Sequence, residues 1–213
     1  MTAAHCLAAV SDLLTPDGRL VFTRDVRVGV ACGPDLSAPA RQVEVTCAQL
    51  HPRFNPRSLE YDAALLRLAD DIEGAIELGE DDVAPGECGV VAGWGETGSG
   101  HGTSRLSWAR MHVGSDDACS REVSAGVVGR PHLMFAAGGD EGRCPEFPRA
   151  AVRKGDSGSG FVVTRGGRPR LGGIVSWSAS APGDANAPLV FTRTFPMTDW
   201  IARETRRFRR PEL

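Results

Sequence analysis

The chain predicts an all-β fold of sandwich or barrel type. Short apolar runs recur along its 213 residues, turn-forming Gly, Pro, Asp or Ser fill the gaps between them, and helical periodicity is confined to the C-terminal end. The strand-like runs are Leu20–Phe22, Val26–Ala31, Val43–Leu50, Ala63–Leu68, Gly89–Ala92, Leu106–Val113, Gly160–Val163, Gly172–Trp177 and Pro188–Thr192. A single helix is expected over Pro196–Phe208, where Pro196 suits a helix start and Trp200, Ile201 and Phe208 are apolar.

Composition narrows the function classes. Hydrophobic residues make up 41% of the chain and 26 residues are glycine, which supports one large all-β domain or two small ones. With 24 Lys plus Arg against 27 Asp plus Glu the formal charge is -3, so there is no broad basic surface for nucleic acid. The Arg-rich end, Ala202–Pro211, reads as the solvated face of a terminal helix. No apolar stretch approaches the roughly 18 residues that a membrane helix needs. Met1–Cys6 shows no basic start followed by an apolar segment, so these residues hold no signal peptide. Six cysteines (Cys6, Cys32, Cys47, Cys88, Cys119, Cys144) include no CxxC pair and no histidine at zinc-finger spacing. That usage argues for disulfides over metal, and disulfides for export.

The acidic stretch Leu78–Glu87 contains Pro and Gly and separates two groups of strands, so it reads as a connector between 1–80 and 81–213. Gly95–Thr103 has the composition of a mobile loop.

Gly155-Asp156-Ser157-Gly158 sets a serine among residues that permit a tight turn. In such a turn the hydroxyl stands clear while backbone N–H groups converge beside it, as acyl transfer requires. An unassisted serine is a weak nucleophile; it needs a base such as histidine, and a carboxylate that fixes the imidazole tautomer. Taken alone, the motif could be an ordinary β-turn, His5 a packed residue in a small-residue strand, and Asp62 a turn or cap. Asp62, however, heads a continuous apolar strand, where a carboxylate needs a dedicated partner.

Three segments together resemble the chymotrypsin/trypsin family of serine proteases: Thr2-Ala3-Ala4-His5-Cys6, Tyr61-Asp62-Ala63-Ala64-Leu65-Leu66-Arg67-Leu68 and Gly155-Asp156-Ser157-Gly158-Ser159-Gly160. They occur in the family's order, His then Asp then Ser. Secondary matches are His51-Pro52-Arg53-Phe54, Cys88–Gly95, Gly173–Trp177 and Trp200-Ile201. The resemblance implies two six-stranded antiparallel Greek-key barrels with the active site between them. It implies Ser157 as nucleophile, His5 as general base and then acid, Asp62 as the buried partner of His5, and the amides of Gly155 and Ser157 as the oxyanion hole. These roles follow a template drawn from the same family. No metal or organic cofactor is implied. Implied partners are protein or peptide substrates and protein protease inhibitors, for a secreted monomer without nucleic-acid or membrane binding.

The chain also departs from the family pattern. It starts three residues ahead of Ala4-His5, so the first barrel is expected to be incomplete and Cys6 to lack a mate. The residue similar to Asp156 ordinarily pairs with a freed amino terminus, for which these residues offer no candidate. Arg153 and Ala181 stand where a cysteine pair is frequent, and Val163 where Cys88 would find its partner; Cys32–Cys47 and Cys119–Cys144 are the expected pairings. The specificity pocket would involve Ala151, Ser176, Trp177, Ser178 and Leu189. No charge at Ala151, with a branched Leu189, points to small or medium apolar side chains before the scissile bond. His51, His101, His112 and His132 read as structural or surface residues. Two rivals remain: a non-catalytic protease homologue that binds proteins, disfavoured by the complete triad, and a lipase or esterase. The latter would need GxSxG with histidine last, whereas Gly155–Ser159 lacks the second glycine and His5 comes first.

Overall fold

The computed structural model describes residues 1–8, 13–15, 19–22, 26–30, 41–96, 102–103, 105–115, 131–138, 144, 154–178 and 189–209. The expected elements at Ala151, Arg153, Ala181, Cys32, Cys119, His101 and Pro188, and most of the Gly95–Thr103 loop, lie outside them.

Strands β1 (Leu13–Leu14), β2 (Arg19–Val21), β3 (Arg27–Val30), β4 (Arg41–Leu50) and β5 (Ala64–Leu68) form one antiparallel sheet. The long β4 is its spine: Arg41–Glu44 pair with β3, while Ala48 faces Leu20 of β2 on one edge and Leu66 of β5 on the other. Ala4, Leu7, Leu20, Ala48, Leu50 and Ala64 are buried together against this sheet.

A second sheet contains β6 (Glu77–Leu78), β7 (Cys88–Gly93), β8 (Ser107–Val113), β9 (Met134–Gly138), β10 (Gly160–Arg165), β11 (Arg168–Ser178) and β12 (Leu189–Arg193). Its order is β10-β7-β8-β9-β12-β11, and pairing of β10 with β11 closes a six-stranded barrel, with β6 added to β11 in parallel. Closure satisfies the backbone groups that an open edge would leave unpaired. Along β7 every second residue is buried, as a half-exposed barrel wall requires. The interior is organised by three phenylalanines: Phe135 stacks on Phe191 at 5.0 Å, and Phe161 meets both edge-on at 5.2 Å. Gly173 lies so close to the Phe135 ring that a Cβ there would stand 2.5 Å from it, so this strand position admits no side chain.

After β12 a 3₁₀ turn, Phe195–Met197, with Pro196 in its first positions, leads into the helix α2, Thr198–Phe208, which begins two residues later than the expected Pro196. Met197, Trp200 and Ile201 pack with Ala3, Ala63, Leu65 and Ile174, so the helix seals the junction between the N-terminal residues, β5 and β11.

Several expectations need correction. His5 lies in a short helix, α1 (Ala4–Ala8), not in a strand, so the C-terminal helix does not stand alone. Ala and Leu favour helix once tertiary contacts cover the turn, and Ala3, Ala4 and Leu7 are buried. Strands β1, β6 and β9 lie outside the expected runs; β9 is alanine-rich and buried almost throughout, so neither alternation nor propensity marks it. Cys88 bonds Cys144, which overturns the Cys119–Cys144 pairing. Cys47 is unbonded, which overturns Cys32–Cys47; its buried Sγ accepts the Arg19 Nε–H at 3.1 Å. Cys6 is a free thiol, in line with the expectation that it lacks a mate.

Candidate active site

The chain turns back at His51–Asp62 before entering β5, and this turn delivers Asp62 to the start of α1. Asp62 is fully buried and accepts three hydrogen bonds. The His5 backbone N–H donates to Oδ1 at 2.9 Å, His5 Nδ1–H donates to Oδ2 at 2.7 Å, and Ser176 Oγ–H donates to Oδ2 at 2.6 Å. The first satisfies an amide that the opening turn of a helix leaves without an intrahelical acceptor. The other two repay a carboxylate for losing its water. One residue thus anchors the short helix, sets the imidazole tautomer and ties both to β11.

The His5 side chain is half-buried. Its hydrogen bond with Asp62, followed by the Cys6 contact, raises its pKa from 6.5 to about 10, against the opposing effect of burial. Nε2, the nitrogen not used by Asp62, lies 3.6 Å from Cys6 Sγ. Among the described residues, Ser157 Oγ makes no hydrogen bond to His5.

Ser157 is exposed on the turn before β10. Gly155 has φ 95° and Gly158 φ 85°, left-handed conformations that glycine adopts without strain. Gly158 N–H donates to Val175 O at 2.9 Å, and a Cβ on Gly158 would collide with Thr2 Oγ1. Thr2 in turn exchanges backbone hydrogen bonds with Ala64 at 2.9 and 2.8 Å. Thr2 therefore joins the start of β5, next to Asp62, to the turn that carries Ser157. Among the described residues, the amides of Gly155 and Ser157 donate to no acceptor.

Asp156, also buried, points away from Ser157 toward the end of β7, where Oδ1 accepts Gly95 N–H at 2.8 Å. Ser176 is buried, Trp177 is half-buried and packed against the buried cluster of Leu133, Met134, Ala136 and Val190, and Ser178 is exposed. Leu189, paired with Ser178 across the β11–β12 ladder, packs into the barrel core. Ala151 lies outside the described residues. No group of three or more His, Cys, Asp or Glu side chains among the described residues gathers at metal-binding distance.

The donation from Ser176 to Asp62, the grip of Gly95 on Asp156 and the Thr2–Gly158 contact are not apparent in the chain. For the contact of His5 Nε2 with Cys6 Sγ, the adjacency of the two residues in the chain is a visible signal. The first three join residues more than fifty positions apart.

A closed six-stranded β-barrel, a second antiparallel sheet and a C-terminal helix, with the His, Asp and Ser segments in that order, make up a trypsin-like architecture. The chain belongs to the trypsin family of serine proteases: the family described as Trypsin matches residues 1–201. It is 30% identical to serine protease 56 of Mus musculus over 94% of its own length, and it spans about a third (32%) of the length of that protein. It is 26% identical to cathepsin G of Mus musculus, covering 98% of this chain and 71% of that protein. Among solved structures, mouse neuropsin, a serine protease expressed in the limbic system of the brain, shares the fold with a TM-score of 0.68 at 24% identity. That match covers 96% of this chain and 83% of the other.

Proposed function

We propose that the protein is a serine endopeptidase that hydrolyses peptide bonds through an acyl-enzyme on Ser157. The observation that carries this reading is the buried Asp62, which grips His5 through both its amide and Nδ1 and leaves Nε2 as the only ring nitrogen for proton transfer. Ser157 Oγ attacks the scissile carbonyl carbon and His5 Nε2 takes its proton. The tetrahedral oxyanion is held by the Gly155 and Ser157 amides. Collapse breaks the C–N bond, and His5 delivers the proton to the leaving amine. A water then attacks the acyl carbon while His5 takes its proton, and collapse breaks the ester C–O bond as His5 returns that proton to Ser157 Oγ and the carboxylic acid product leaves. In the resting state Nε2 faces Cys6, so substrate binding must bring it to Ser157, a tightening common to hydrolytic sites when they fill.

A second reading, a non-catalytic homologue that binds proteins, is favoured by one feature only: the absence of a Ser157–His5 hydrogen bond among the described residues. Secretion, a monomeric state, and a preference for small or medium apolar side chains before the scissile bond belong to the same proposal. A fluorophosphonate probe separates the readings. Covalent labelling at Ser157, lost in Ser157→Ala and suppressed by orders of magnitude in His5→Ala, is the expected result; labelling undiminished in Ser157→Ala overturns it. A peptide-library profile dominated by Arg or Lys would overturn the specificity.

A further inference from the structure

Tyr61, the residue before Asp62, has φ 54°. A left-handed backbone is unusual for a bulky aromatic residue and persists only where its surroundings hold it. Those surroundings are specific. The Tyr61 ring stacks on His51 with centroids 4.5 Å apart and planes 5° from parallel, and the Arg53 guanidinium lies over the same ring at 4.4 Å. His51 is itself fixed on three sides. Its N–H donates to Ala63 O at 2.9 Å, its Nδ1 accepts the Arg53 amide at 3.2 Å, and its ring meets the edge of Trp200 in α2 at 4.7 Å. Beyond Tyr61 the chain tightens again, with Ala63 N–H donating to Tyr61 O at 2.7 Å. Asp62 is thus suspended between a stacked ring and a tight backbone bond.

The geometry points to Tyr61, clamped by His51 and Arg53, as the positioning residue that aims the Asp62 carboxylate at His5. The physical argument is one of lever arms. Asp62 has two side-chain torsions and three donors to meet at 2.6 to 2.9 Å, so its Cα must be placed to within a fraction of an ångström. Neither the Asp62 donors nor strand β5 fixes the left-handed residue ahead of it; the aromatic stack does. Through Trp200 the same stack rests on the C-terminal helix, which gives that helix a part in the site without touching it. The inference rests on the His5–Asp62 pairing of the proposed function but not on Ser157 being the nucleophile.

The test compares Tyr61→Phe, Tyr61→Gly and His51→Leu by the low-field proton resonance of the His5 Nδ1–H···Asp62 hydrogen bond. Thermal melting selects the folded variants, and Asp62→Asn identifies the signal. Glycine relieves the left-handed backbone and removes the ring, whereas phenylalanine keeps the ring. Tyr61→Phe should keep the resonance at its wild-type position; Tyr61→Gly and His51→Leu should shift or broaden it. Where peptide turnover is measurable, the last two should lower kcat by about 100-fold with KM little changed, as expected for a misplaced group. A wild-type resonance in either folded variant overturns the assignment, and should Tyr61→Gly not fold, His51→Leu decides. Ser157→Ala should leave the resonance in place. Failure of Ser157 labelling with an intact response to Tyr61 would sink the nucleophile assignment alone.

Discussion

Asp156 and Gly95 meet across 61 positions of chain, with the amide of Gly95 donating to the carboxylate at 2.8 Å. A Cβ on Gly95 would stand 2.5 Å from both carboxylate oxygens, so the glycine is what lets β7 approach the residue next to Ser157. In the proposed mechanism Asp156 holds the Gly155–Ser157 turn in place, and its displacement would turn the two amides away from the oxyanion. Gly95→Ala is therefore expected to lower kcat by about 10²-fold and to destabilise the fold by about 1–3 kcal/mol. Gly138→Ala, where the space is open, should do neither. Active-site titration and urea unfolding read the two effects, and unchanged titration in Gly95→Ala would count against the link.

Ser176 gives Asp62 its third donor at 2.6 Å. Ser176→Ala leaves a buried carboxylate short of one hydrogen bond, a loss of about 1–3 kcal/mol. Turnover should fall about tenfold or more as His5 loses its fixed partner. Because the two side chains share one interaction, Ser176→Ala should cost little in an Asp62→Asn background, and additive effects in the double mutant would refute the coupling.

Two histidines give stability opposite dependences on pH. His51 titrates at about 4 in the folded protein, chiefly through burial and secondarily through Arg53 and Arg203. Its neutral form is the one the fold accepts, so that stability is complete above about pH 6.5 and is lost as pH falls toward 4. His5 is raised to about 10, first by its Asp62 hydrogen bond, so its contribution is complete below 6.5 and is lost as pH rises through the folded value. Urea midpoints should peak near neutrality, and His51→Phe should flatten the acid side. An unchanged acid limb in that variant would show that another group carries it.

Cys6 Sγ is the second cause of the raised His5 pKa and occupies the neighbourhood of Nε2. A general base must be neutral, so a raised pKa delays activity to higher pH. Cys6→Ala should therefore move the acid limb of kcat/KM to lower pH and speed fluorophosphonate labelling of Ser157. A limb that stays put would mean that Asp62 alone sets the His5 titration.

What the chain determined unaided was the set of parts. Alternating apolar runs and turn residues marked most strands of the barrel, because a strand half facing a core carries its burial in its own period of two. Pro196 and the apolar spacing after it marked the terminal helix for the same local reason. The Gly-Asp-Ser-Gly turn, the His-Cys pair and the Asp heading β5 were legible as segments, since each needs particular residue types in a row. Tertiary structure alone decided how they combine. It made Ala4–Ala8 a helix, a choice that five residues cannot make without the burial of Ala3, Ala4 and Leu7 around them. It joined Cys88 to Cys144 across 56 positions, which spacing cannot disclose because connectivity depends on where strands fold back. It also gave Asp62 its three donors, Asp156 its glycine and Tyr61 its stacked histidine. Hydrogen bonds and ring contacts act over a few ångströms of space, and no local pattern records which distant residue will arrive within that range.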